Sequence, residues 1–209
     1  MIVVDIETSG LDPVRCGIWQ IGAIELENPT NIFFEEGRID DENVVESGAL
    51  EVIGKREEEL RDTTKQSQKD LLLHFFNWAK KISVRNCICQ NPQFDIVFIE
   101  CKARASGLMR KEVPLPHRAF DLHSIASLKY FLVHETFLIR DGKSDMNLTN
   151  VLHFCGMNDE RNHHNALEDA QLTAECFSRI VFGKKLLETF NGFEIPHYLT
   201  TRNKGVNSL

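Results

Sequence analysis

The sequence has little that would take it out of the ordinary globular class. Its six cysteines contain no C-x-x-C pair, which disfavours a zinc knuckle, and they have no secretory context, which disfavours a disulfide framework. Cys16, Cys87, Cys89, Cys101, Cys155 and Cys176 therefore read as buried thiols. With only 12 Gly and 6 Pro in 209 residues, collagen-like and low-complexity architectures are excluded. No uncharged apolar run approaches the roughly 20 residues of a membrane span. The opening Met1-Ile2-Val3-Val4-Asp5 also lacks the basic start of a signal peptide, so a cytoplasmic protein with no membrane partner is expected. Nucleophile elbows and phosphate-cradling glycine loops are missing, and the acids between Asp141 and Asn147 miss the calcium-loop spacing.

What is present suffices for a packed core: 42% of residues are hydrophobic and 26% charged. The formal charge of −7 comes from one stretch, Glu35 to Asp62, where eleven acids face four bases. The rest of the chain is balanced, so overall acidity does not exclude an anionic substrate. Lys102 to Arg118 carries five bases against Glu112, enough local charge to meet phosphates, although a solvated helix face is the plainer explanation.

β-branched residues from Met1 to Ile6, ended by Ser9-Gly10-Leu11-Asp12-Pro13, predict a first strand. Gly17 to Glu27 and Asn31 to Glu35 predict two more, joined antiparallel through Asn28-Pro29-Thr30. Short helical pieces follow near 47–53 and 55–60. A helix over 64–82 then carries the apolar stripe Leu71, Leu72, Phe75, Phe76 and Ala79. Strands at 86–90 and 118–121 alternate with helices at 94–106, on to Tyr130, at 147–155 and at 165–181. Residues from Phe190 read as a short helix and tail, with 200–209 polar enough to fray. No repeat or interdomain linker interrupts this pattern, which predicts an α/β mixed sheet flanked by helices.

Three groups of carboxylates stand at element junctions. Asp5 and Glu7 lie two apart on the first strand and share a face, with Ile2, Val4 and Ile6 on the other. Adjacent carboxylates repel unless a cation lies between them, so a divalent metal is their natural partner. Asp95 follows Gln90-Asn91-Pro92-Gln93-Phe94 where a strand gives way to a helix. Asp169 lies in the first turns of the 165–181 helix, beside the stripe Ala166, Ala170, Thr173, Phe177 and Ile180. Five residues of helix rotate by about 500°, so His164 can join Asp169 only from the preceding loop. Taken singly, an exposed strand pair, a helix-terminus acid and a loop histidine each have a bland explanation. Their order along one chain is what carries information.

Asp5-Ile6-Glu7-Thr8-Ser9-Gly10, Asn91 with Phe94-Asp95, and His164 to Asp169 resemble the three motifs of the DEDDh, DnaQ-like 3′–5′ exonucleases, over roughly residues 1–182. The resemblance implies a ribonuclease H-like fold with a five-stranded sheet of order 3-2-1-4-5, strand 2 antiparallel. It implies an exonuclease domain at 1–182, with 183–209 as its C-terminal helix and tail. It further implies two Mg²⁺ or Mn²⁺ ions held by Asp5, Glu7, Asp95 and Asp169, with Asp5 bridging, Glu7 and Asp169 completing the first and Asp95 supporting the second. His164 would be the general base, Thr8 and Leu11 would contact the terminal nucleotide, and Asn91 would line the pocket.

The reaction so implied is release of nucleoside 5′-monophosphates from nucleic-acid 3′ ends, with single-stranded DNA favoured. The alternatives are an RNA 3′-end trimmer of oligoribonuclease or RNase T type and a catalytically inactive nucleic-acid-binding module. Gln90, where a histidine often stands, and Trp19-Gln20, in place of an aliphatic–acidic pair, depart from the usual pattern and bear on substrate preference. The acidic stretch 35–62 is expected to face away from the nucleic acid, with contacts coming from Lys102 to Arg118. Homodimerisation is left open, and no clamp-binding tail supports a polymerase or clamp partner.

Overall fold

The computed structural model describes residues 1–200. Along the chain run β1 (Ile2–Thr8), β2 (Ile18–Glu25), β3 (Asn28–Glu36), α1 (Ser47–Ile53), α2 (Glu57–Leu60), α3 (Gln68–Ala79), β4 (Cys87–Cys89), α4 (Pro92–Ala105) and β5 (Ala119–Asp121). They are followed by α5 (Leu122–His134), β6 (Ile139–Arg140), β7 (Lys143–Ser144), α6 (Leu148–Phe154), α7 (Ala166–Phe182) and α8 (His197–Thr200). The chain divides into two compact units, one of Met1–Asp121 with Arg161–Gln171, the other of Leu122–Glu160 with the described residues from Leu172 to Thr200.

The first unit holds the mixed sheet, in the order β3-β2-β1-β4-β5. β1 pairs antiparallel with β2 and parallel with β4, and β4 pairs parallel with β5, as the ribonuclease H-like expectation requires. Strand parity explains why β1 is central. Ile2, Val4 and Ile6 point into a core with Leu71, Leu72, Phe75 and Phe76 of α3 and Ile96, Phe98 and Ile99 of α4, leaving Asp5 and Glu7 to the opposite face.

Several boundaries differ from expectation for local reasons. The β2–β3 turn sits at Leu26-Glu27, and Pro29 lies inside β3, where an edge strand tolerates its missing N–H. α3 begins at Gln68 rather than 64, because Ser67 caps it by accepting the Asp70 N–H at 3.1 Å, while Asp62 binds Thr64 in a turn of its own. Cys101 is half-buried; the other five thiols are buried.

In the second unit, Asp141-Gly142 turns a short β6–β7 hairpin, both residues with positive φ (50° and 74°). The Glu175–Arg179 ion pair, 2.7 Å and wholly buried, organises this unit's C-terminal segment. Glu175 accepts from the N–H groups of Leu186 and Leu187, and Arg179 donates to the carbonyls of Cys155, Phe190 and Phe193. The expected fraying of 200–209 falls, from residue 201, outside the described residues.

Candidate metal and catalytic site

The site lies wholly in the first unit, on the face of β1 opposite Ile2, Val4 and Ile6 and beside the first turn of α4. β1 supplies Asp5, opposite Gly22 of β2, and Glu7, opposite Gln20. β4 is only three residues long and pairs with β1 at Ile2 and Val3 alone, so among the described residues no strand flanks the rest of β1 on that edge. α4 starts there, with Pro92 in its first turn, and the Asp95 carboxylate accepts the N–H of Ile6, between the two β1 acids.

The third acid arrives by close approach. A Cβ on Gly22 would lie 2.2 Å from backbone atoms of Ala166 and Leu167, so only glycine lets the start of α7 rest on β2. Gln20 Oε1 accepts the Ala166 N–H at 2.8 Å, and Asn165 Oδ1 accepts from Leu167 and Glu168, which completes the N-terminal cap. Asp169 is thereby buried one turn into the helix, while His164 lies in the loop before it.

Glu7, His164 and Asp169 offer ligand atoms that all lie within 4.8 Å of one another. Asp5 and Asp95 join them electrostatically. Burial, then the charges of Asp95, Asp169 and Glu7, hold Asp5 well above the usual carboxylate range. Burial and then Asp169 push Glu7 up to about 8. Asp95 is pushed up to about 7 by burial, against the N–H groups of Ile6 and of Asp95 itself, which favour the carboxylate. His164 Nδ1 lies 3.0 Å from Asp169 Oδ2, and this hydrogen bond raises the imidazole above its ordinary value. Glu7 Oε1 is buried with no hydrogen-bond partner among the described residues. Mutually repelling carboxylates with an orphaned buried oxygen are a donor set that fits a hard divalent cation.

The motif residues Asp5, Glu7, Asp95, His164 and Asp169 are thus brought to one place. Of the three weaker assignments, the Thr8 hydroxyl donates to the Gly10 carbonyl at 2.8 Å in a turn, Leu11 is 76% exposed, and Asn91 is an exposed N-cap whose side chain makes no capping bond. Lys102 is corrected: it is buried, and its ammonium donates to the Val14 carbonyl at 3.2 Å, bracing the loop after β1 instead of meeting phosphate. Gln20 is a cap for α7, not a specificity determinant, because its amide is consumed by Ala166 and Glu36. The acidic stretch does not turn away as a whole. Glu46 accepts the Leu11 N–H at 3.1 Å, Val44 and Glu46 pair with the backbone of the same loop, and Val52 O accepts the His164 N–H at 3.4 Å.

Sequence reasoning missed Arg161, whose side chain is 7% exposed and lies 2.8 Å from Asp169 Oδ1. It stands three residues before His164, a spacing that periodicity does not single out in a loop. Gly22 and Glu46 were equally silent, since their roles depend on what approaches them.

A profile of the exonuclease family (RNase_T) matches residues 2–177. The DNA polymerase III PolC-type of Caldanaerobacter subterraneus subsp. tengcongensis is 26% identical over 208 residues, covering 100% of this chain and 13% of the polymerase. Its counterpart in Thermotoga maritima is 25% identical over 180 residues, covering 86% and 12%. The chain therefore spans only a small part of the curated relatives it matches. Among solved structures, the nuclease domain of 3′hExo, a DEDDh family member bound to rAMP, superposes with a TM-score of 0.66 at 14% identity, covering 93% of this chain and 94% of that one. Escherichia coli Exonuclease I in complex with a dT13 oligonucleotide gives 0.65 at 18% identity, covering 85% and 40%. At those identities the superpositions establish the fold, while the profile, running through all three acidic motifs, establishes the lineage: the chain belongs to the DEDDh (RNase_T) exonuclease family, with a ribonuclease H-like fold.

Proposed function

We propose that the protein is a metal-dependent 3′–5′ exonuclease that releases nucleoside 5′-monophosphates, with single-stranded DNA as the favoured substrate. The observation that carries this reading is the convergence of Asp5 and Glu7 on β1 with Asp95 and Asp169 from the first turns of α4 and α7, together with an oxygen of Glu7 that has no hydrogen-bond partner among the described residues. These four carboxylates would hold two Mg²⁺ or Mn²⁺ ions. When bound, such ions supply Lewis acidity at the scissile phosphate and make water easier to ionise near neutral pH.

The residues' own tasks follow from their chemistry. A carboxylate paired with a guanidinium accepts hydrogen bonds, so the Nδ1 of His164 carries the proton toward Asp169 and Nε2 is left as the basic nitrogen. His164, half exposed, accepts the proton from the attacking water through that Nε2. Leu11, held out from the loop by its N–H to Glu46, presents an apolar side chain to the terminal base. Thr8 and Asn91 border the same strand ends and would contact the terminal nucleotide.

DNA is favoured because the relatives that match along the chain are DNA polymerases by name. An RNA trimmer is the second reading, favoured by the fold's likeness to a nuclease domain bound to rAMP. Matched DNA and RNA oligonucleotides, 3′-labelled and mixed in one reaction with Mg²⁺ or with EDTA, test both. Mononucleotide release from DNA first, in Mg²⁺ only, is the expected result. Release from RNA first shifts the substrate, and binding without release by folded protein leaves an inactive nucleic-acid-binding module.

A further inference from the structure

Both oxygens of the Asp169 carboxylate are taken by the chain's own donors. Arg161 approaches Oδ1 at 2.8 Å and His164 approaches Oδ2 at 3.0 Å, whereas Glu7 Oε1 across the same cluster has no donor among the described residues. The two partners differ in kind. The His164 side chain is 47% exposed, while that of Arg161 is 7% exposed and carries a guanidinium that stays charged throughout. Within a desolvated cluster the guanidinium–carboxylate pair is the stronger and more persistent of the two. Its field also reaches the neighbours, opposing the upward pressure on Asp5 and Glu7.

We propose that Arg161 is a resident stand-in for the metal, neutralising Asp169 in the metal-free protein and competing with the divalent cation for that carboxylate when it loads. The proposal rests on the reading of the four acids as a metal site. It makes Arg161 a positioning residue that lets the acids share one site before any ion arrives and that sets how tightly the ion is held afterwards. A chain with no such cation would confront its own carboxylates unscreened.

The test is Mn²⁺ binding by isothermal titration calorimetry at pH 8, with thermal melts in EDTA and in saturating Mn²⁺, for the full chain and for Arg161→Gln and Arg161→Lys. Removing the competitor should tighten Mn²⁺ binding by about tenfold. It should also lower Tm in EDTA and enlarge the Tm rise on adding Mn²⁺. Arg161→Lys keeps the charge but loses the planar fork, so it should lie between the two. If Arg161→Gln does not fold without metal, tighter binding by Arg161→Lys alone sustains the proposal. Unchanged Mn²⁺ affinity with equal Tm losses in both conditions would make Arg161 a loop brace, and weaker affinity would make it an aid to metal binding; either result overturns the proposal. Failure of the exonuclease reading looks different: wild-type protein would bind Mn²⁺, with the shifts above intact, yet release no nucleotide.

Discussion

Single residues in this site do work that their neighbours define. His164 has no special position until Asp169 fixes its Nδ1, and then only Nε2 is left to take a proton. His164→Ala should slow mononucleotide release by about 10²–10⁴-fold with little change in oligonucleotide affinity. Parallel losses in both, read from single-turnover rates and binding isotherms, would assign it to substrate binding instead. The acids make a second prediction, for the metal-free protein. Because folding raises Asp5, Glu7 and Asp95, with Glu7 near 8 and Asp95 near 7, the folded chain binds protons more tightly than the unfolded one. The stability they contribute is complete below the ordinary carboxylate range and is lost as the pH rises through about 7 to 8. In EDTA, Tm should therefore fall between pH 5.5 and 8.5, and Asp5→Asn should flatten that fall. A flat wild-type profile would show that the acids do not interact as described.

At the scale of elements, the strand and helix that carry the chemistry were legible because periodicity writes their faces into the sequence. Asp5 and Glu7 share a face of β1 by parity, and the helical rotation alone put His164 in the loop before α7. Contacts between elements were not legible. A glycine in a strand says that something small stands there, not that Ala166 will approach it, and a loop arginine does not say which carboxylate it will find. Lys102 was misassigned for the same reason: its charge is visible in sequence, its burial under the Val14 carbonyl is not. The Asp141-Gly142 dipeptide carries a turn signal in the sequence, and the structure places it at the tip of the β6–β7 hairpin. The close approach at Gly22 can be tested directly. With backbone atoms 2.2 Å from the added Cβ, Gly22→Ala must push α7 off β2. It should cost about 1–3 kcal/mol in urea unfolding and weaken Mn²⁺ binding through Asp169. Wild-type stability together with wild-type affinity would contradict this packing.

The whole molecule presents an uneven charge distribution. Its net −7 is concentrated in one excursion, part of which is stapled to the loop bearing Leu11 and to the backbone of His164. No helix among the described residues is long and apolar enough to cross a membrane. Of the bases between 102 and 118, Arg104, Arg110, Lys111 and Arg118 are exposed, and of these Arg110 donates to the carbonyls of Val113 and Leu115. If Arg104, Lys111 and Arg118 meet the substrate backbone, replacing each by Ala should reduce the salt dependence of oligonucleotide binding, by about 0.7 in log–log slope per lost phosphate contact on a single strand. An unchanged slope in the triple variant would move the nucleic-acid path elsewhere.

The central claim is that four acids from three separate stretches of chain form one divalent-cation site. Crystals soaked in Mn²⁺, with anomalous maps recorded at the manganese edge, test it most directly. Density in contact with Asp5 and with Glu7, Asp95 or Asp169 is the predicted result, and its loss in Asp5→Asn completes it. Well-ordered carboxylates with no anomalous peak among them, or manganese bound only elsewhere on the surface, would contradict the account.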